Sequence, residues 1–123
     1  MTIKVNMGDY ITKDSGERVS YDTGMQRDTS SNKARYDLIS PAKLPMEKQM
    51  LTRWAKLMGR GAAKYDDRNW EKASTEKELA RFKESAFRHF MQWYYGETDE
   101  DHAAAVFFNI TGAEYVKDRI QGG

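Results

Sequence analysis

The sequence predicts a mainly α fold: a small helical domain with a central helical hairpin, preceded by a short irregular or β-hairpin N-terminal arm. Three observations predict it. Apolar residues recur at helical spacing from Met50 onward, capping residues stand before the two long runs that follow, and the first third of the chain is polar and rich in turn formers. The expected boundaries are an arm and loop over residues 1–39 and a helical domain over 40–123. At 123 residues the whole should make one globular unit, because the length suffices for one core and not for two ordinary domains.

Within the arm, Tyr10 to Lys13 and Arg18 to Tyr21 are β-leaning runs on either side of Asp14-Ser15-Gly16, which predicts a hairpin or a loosely ordered arm. Residues 25–39 have no clear period, and Ser30, Ser31 and Asn32 favour a loop. Ser40-Pro41 or Leu44-Pro45 should open the first helix, since proline is tolerated where the N–H groups lack partners. Met50, Leu51, Trp54, Leu57 and Met58 form one apolar stripe, which Gly59 and Gly61 should end or loosen. A second helix is expected from Ser74 or Thr75, with Thr75 and Glu78 at capping-box spacing and a core face of Leu79, Phe82, Ala86, Phe90 and Trp93. Gly96 should stop it. Thr98 then caps a third helix with Asp99, Glu100 and Asp101 in its first turn and Ala103, Val106, Phe107 and Ile110 on its buried face. The second and third helices thereby make the hairpin.

Composition narrows the function classes. Twenty basic residues balance nineteen acidic ones, which argues against a general binder of nucleic-acid polymers or anionic membranes. There is no cysteine, hence no disulfide frame, thiolate nucleophile or thiolate metal site. The opening MTIKVNMGDYITKD lacks a signal-peptide core, and no run nears the ~18 apolar residues of a membrane span; the expected location is the cytoplasm. Apolar residues make up only 39% of the chain, so several Trp, Tyr and Met side chains should serve a core or a subunit contact, which points to a homo-oligomer.

Candidate chemistry gathers at the hairpin. His89, Trp93 and Glu97 step by four, and Glu97, Asp99, Glu100 and Asp101 crowd the turn, an oxygen-rich set that suits Mg²⁺ or Mn²⁺. Capping alone also accounts for Asp99 and Glu100. His102 and Asn109 share a helix face; a buried Asn109 can serve a ligand or simply satisfy a backbone group. Arg88 can pair with Glu84 or face a phosphate. Arg27, Lys33, Arg35, Lys64 and Arg68 punctuate loops, where guanidinium and ammonium groups can converge on a phosphate tail. In GAAKYDDRNWEK, Asn69 can read a base edge while Tyr65 or Trp70 stacks on the base, or Trp70 can plug the core.

Five blocks, SGERVSYDTGMQRDT, NKARYDLI, GAAKYDDRNWEK, SAFRHFMQWYYGETDEDH and AAAVFFN, run in the order found in a phage-associated family that the chain resembles, the dATP/dGTP diphosphohydrolase N-terminal domain, distantly grouped with MazG-like all-α pyrophosphohydrolases. The resemblance implies a helical domain that cleaves a deoxypurine triphosphate to monophosphate and pyrophosphate with a divalent metal. By position it implicates Arg27, Asp28, Lys33, Arg35, Tyr36 and Asp37, then Lys64, Tyr65, Arg68, Asn69 and Trp70, then Arg88, His89, Glu97, Asp101, His102 and Asn109. The roles expected are catalysis for Glu97 and Asp101, metal ligation for His89, Glu97, Asp101 and His102, and nucleotide binding for Arg27, Lys33, Arg35, Lys64, Tyr65, Arg68, Asn69, Trp70, Arg88 and Asn109. Two departures stand out: the paired ExxE and ExxD helices of MazG-like enzymes are not both present, and Ala105 occupies a place where many relatives carry a second histidine. They favour, as the alternative, a nucleotide sponge that binds a purine signal without cutting it.

Overall fold

The computed structural model describes residues 3–7, 10–29 and 33–122. The chain divides into two compact units, Met1–Asp37 and Leu38–Gly123.

The N-terminal unit is built from two small antiparallel ladders. Strand β1 (Ile3–Met7) pairs with β2 (Tyr10–Asp14), and β3 (Arg18–Ser20) pairs with β4 (Gln26–Asp28). The strands expected on either side of Asp14-Ser15-Gly16 therefore exist but do not pair with each other. Local side chains explain why: Asp14 accepts from the Gly16 N–H at 3.0 Å and grips the Arg18 guanidinium at 2.8 and 2.9 Å, while Asp28 accepts from Ser15. That turn cannot register a two-strand ladder, so each strand finds its outer neighbour. Gln26–Asp28, in the segment expected to be loop, becomes a strand because Tyr21 to Met25 closes a tight turn with Gly24 at φ 91°. The loop expected at Ser30, Ser31 and Asn32 lies outside the described residues.

Arg18, first, and then the Gly16 N–H hold the Asp14 carboxyl down to about 2. A carboxyl depressed on folding contributes stability above its ordinary value and loses it as pH falls through the folded value. The β2–β3 junction should therefore loosen only as pH drops from about 3.8 toward about 2. Arg18→Ala is expected to move the Asp14 midpoint back up toward 3.8, read by carboxyl NMR titration.

The second unit is helical. Pro45 leads into a 3-10 turn, Met46–Lys48, and helix α1 (Met50–Lys64) starts only after Gln49, whose extended backbone breaks continuity with that turn. Proline thus opens a prelude and not the helix itself. Gly59 and Gly61 do not end α1, which runs on to Lys64. A 3-10 turn at Asn69–Lys72 carries Trp70 and follows Arg68 in the left-handed region at φ 60°.

Helix α2 (Glu76–Tyr94) begins with the expected capping box: Thr75 Oγ1 accepts from the Glu78 N–H, and Glu78 accepts from the Thr75 N–H, both at 3.2 Å. Helix α3 (His102–Ile120) runs back along it. Its cap is Asp101, not Thr98: Asp101 accepts from the Ala104 N–H at 3.1 Å. None of the helices is long and apolar enough to cross a membrane among the described residues.

The seam between α2 and α3 is rotated from the expected faces. Leu79, Ser85 and His89 are buried on α2, and His102, Ala104, Ala105, Asn109, Gly112, Ala113 and Val116 on α3. Phe90, Trp93, Phe107 and Ile110, expected inside, are largely exposed. Small residues win the seam because they let the backbones approach. A Cβ on Gly112 would stand 2.4 Å from the Phe82 ring, inside any tolerable contact. Gly112→Ala should therefore destabilise the domain by about 1–3 kcal/mol despite better helix propensity; an unchanged urea midpoint would contradict this packing.

A row of rings ties the Trp70 turn to the hairpin. Trp70 meets Tyr115 at 5.2 Å and Phe108 at 6.1 Å, both edge-on, and Phe82 meets Phe108 at 5.8 Å. The Tyr115 hydroxyl and Arg119 guanidinium donate to the Glu71 carbonyl at 3.0 and 2.9 Å. The turn is thus pinned to α3 at both ends of the ring row.

Candidate functional site

Between α2 and α3 the chain makes an acidic bend, residues 95–101, turned by Gly96 at φ 81°. Two histidines lie beneath it. His89 Nδ1 and His102 Nδ1 are 2.8 Å apart, and His102 Nε2 is 2.7 Å from Asp99 Oδ1. One proton lies between the two Nδ1 atoms, and with His102 Nε2–H donating to Asp99, His89 is the donor of that bond. Burial first, then the adjacent Arg88 charge, push His89 below its ordinary value. The bond to His102 holds Asp99 ionised below the usual carboxylate range.

Ligand atoms of Glu97, Asp99 and His102 all fall within 4.8 Å of one another. Two carboxylate oxygens and one imidazole nitrogen make a mixed O/N set that fits Mn²⁺ or, with waters completing the shell, Mg²⁺. For His102 to offer Nε2, its proton must move to Nδ1 and His89 must change from donor to acceptor in the Nδ1–Nδ1 bond, carrying its own proton on Nε2. Asp101 is engaged elsewhere. Besides capping α3, it takes the Arg53 guanidinium on both oxygens at 2.6 and 2.9 Å, an ion pair that holds its carboxyl low and clamps α1 to the start of α3.

A cavity of about 350 Å³ opens between α1, the Trp70 turn and the bend. Lys64, Tyr65, Arg68, Asn69 and Trp70 line it from one side and Glu100 from the other, so the tryptophan-bearing segment and the acid-rich bend share one space. Arg60 lines it as well and, with Leu57 and Glu100, borders a second cavity of about 580 Å³ reached by Arg53, Lys56, Asp99 and Asp101. Trp70 is half-buried, and it both packs on the ring row and walls the first cavity.

Asn109 and Arg88 line neither of these two cavities. Asn109 is buried, donates to the Ala105 carbonyl at 2.8 Å, and lines a third cavity on the other side of Trp70. Arg88 sits 3.6 Å from Glu84, the helical ion pair. Arg27, Lys33 and Arg35 belong to the N-terminal unit, where Arg35 grips Asp37 at 2.7 and 2.9 Å. Sequence reasoning missed Arg53, Lys56 and Arg60. Their i, i+3, i+7 spacing was a visible signal of one basic helix face. Asp99, for which the sequence left both a capping and a cluster reading open, bonds His102.

The family model described as dATP/dGTP diphosphohydrolase, N-terminal, matches residues 23–120. No curated protein and no solved structure matches the chain.

Proposed function

The chain belongs to the dATP/dGTP diphosphohydrolase N-terminal family, and on that premise we propose that it binds a deoxypurine triphosphate between the Trp70 turn and the acidic bend and, with Mg²⁺ or Mn²⁺, hydrolyses it. The observation that supports the reading is a cavity of ligand size lined by Tyr65, Trp70, Asn69, Arg60 and Lys64 and reached by Glu100 of the acidic bend.

In this reading the purine lies on Trp70 or Tyr65, with Asn69 toward its edge. Arg60 and Lys64 neutralise the phosphate tail as it extends toward the bend. Glu97, Asp99 and His102 would hold the cation, His102 through Nε2 in the tautomer whose Nδ1–H donates to His89. The ion, when bound, lowers the pKa of a water and screens charge on the phosphates. Arg53 and Asp101 keep α1 and α3 in register, so that the cations and acids stay facing each other. Water bonds to the α-phosphorus as the bridge to the β-phosphate breaks, giving monophosphate and pyrophosphate.

The test is incubation with dATP or dGTP and either metal, followed by denaturation and mass analysis of the nucleotide. Monophosphate and pyrophosphate are expected. Nucleotide recovered intact from a protein that bound it identifies a sponge instead, and no binding at all removes both readings.

A further inference from the structure

We propose that the third cavity is a second ligand site, one that takes an adenine ring and reads its edge through Asn109. The proposal needs neither the metal cluster nor hydrolysis.

The cavity has a volume of about 540 Å³ and is walled by the Trp70 turn, α2 and α3. Two polar side chains in its wall come from the packed seam. Asn109 of α3 and Ser85 of α2 are 7% and 8% exposed, yet both line the cavity. The two helices meet at His89 and His102 and again at Phe82 and Gly112, and Ser85 and Asn109 fall between those contacts. Their neighbours along the seam of α3, Ala105, Gly112 and Ala113, are small and apolar, so a buried amide among them calls for a use.

Half of that use is structural. Asn109 Nδ2 donates to the Ala105 carbonyl at 2.8 Å, which takes one of its two hydrogens. Oδ1 receives no donor among the described residues, and it is not sealed in the interior as Trp54 Nε1 and Gln92 Oε1 are. An acceptor left open at a cavity wall is a place for the N–H of a ligand. The Ser85 hydroxyl, 3.5 Å from Glu84, is held loosely and can turn to the same ligand.

The lining sets the class of occupant. Tyr65, Trp70, Phe82 and Phe108 supply aromatic wall, which favours a flat ring. Beside it Asn109 offers an acceptor and its remaining N–H together. A carboxamide used in this way matches adenine, whose amino group donates while the adjacent ring nitrogen accepts. A phosphate, which only accepts, or an aliphatic chain would leave Oδ1 unmet. Asn109 stands seven residues beyond His102, about 10 Å along α3, so its contact with the ring does not involve the acidic bend and binding should need no divalent ion.

Titration of the ¹⁵N-labelled chain with adenosine in EDTA should shift the Asn109 side-chain amide signal to saturation. Purine riboside, the same ring and sugar without the amino group, should bind at least about tenfold more weakly. Asn109→Leu, close in volume, should weaken adenosine binding to the same degree with helicity kept. Lys64→Ala, which alters the first cavity and not the third, should leave it unchanged. If the leucine variant does not fold, the comparison of the two nucleosides on the native chain decides alone. No binding at millimolar adenosine, an Asn109 signal that stays still while others move, equal affinity for purine riboside, loss of binding in Lys64→Ala or a requirement for Mg²⁺ would each overturn the proposal.

Discussion

Glu97→Gln is expected to reduce pyrophosphate release from dATP or dGTP by about a hundredfold or more, with the melting temperature held within a few degrees. A second-shell change alone costs ~10–100-fold in metal affinity or activity, and Glu97 offers its own oxygen to the Glu97, Asp99 and His102 cluster. The amide matches the carboxylate in size but gives up the anionic donor a hard cation requires. Glu97 is exposed and its carboxylate accepts from the Gln92 amide at 3.3 Å, so removing the charge should move stability by less than about 0.5 kcal/mol. Raising Mn²⁺ should recover part of the rate if the defect is in ion affinity. Wild-type turnover in the variant would take Glu97 out of the site.

Trp70→Ala should destabilise the helical unit by about 2–4 kcal/mol, because it removes a ring wedged edge-on against Tyr115 and Phe108. For a chain of this size that lowers the melting temperature by roughly 10 °C. The same residue walls the cavity, so nucleotide affinity should fall by the ~1–3 kcal/mol that base stacking contributes. Trp70→Phe separates the two roles, since it keeps an aromatic face and most of the plug. Urea midpoints and nucleotide titrations of the pair check the argument. A Trp70→Ala protein as stable as wild type would show that the ring row does not carry the fold, and unchanged affinity would move the base elsewhere.

Much of the architecture is readable along the chain because its determinants are local. Thr75 and Glu78 sit three apart and bond each other's backbone groups, so the start of α2 needs no partner element. Gly96 ends the same helix through its own positive φ. The site is legible only in part. Tyr65, Asn69 and Trp70 are marked by residue type, whereas Arg60 joins them across the cavity from α1, and no short-range pattern announces that.

What the sequence by itself determined is the helical class, the hairpin, its capping box and the acidic bend, since each follows from contacts within about one helical turn. The tertiary structure decided which face of each helix is inside. Spacing gives α2 and α3 apolar stripes on more than one side, and close approach at Gly112 and Ala113 selected the small-residue seam, leaving Phe90, Trp93 and Ile110 on the flank. It also decided that Asp101 braces Arg53. Carboxylates within a few residues of one another are alike in sequence: Asp99 meets His102 three residues on, whereas the partner of Asp101 is forty-eight residues away and is assigned only when the helices pack.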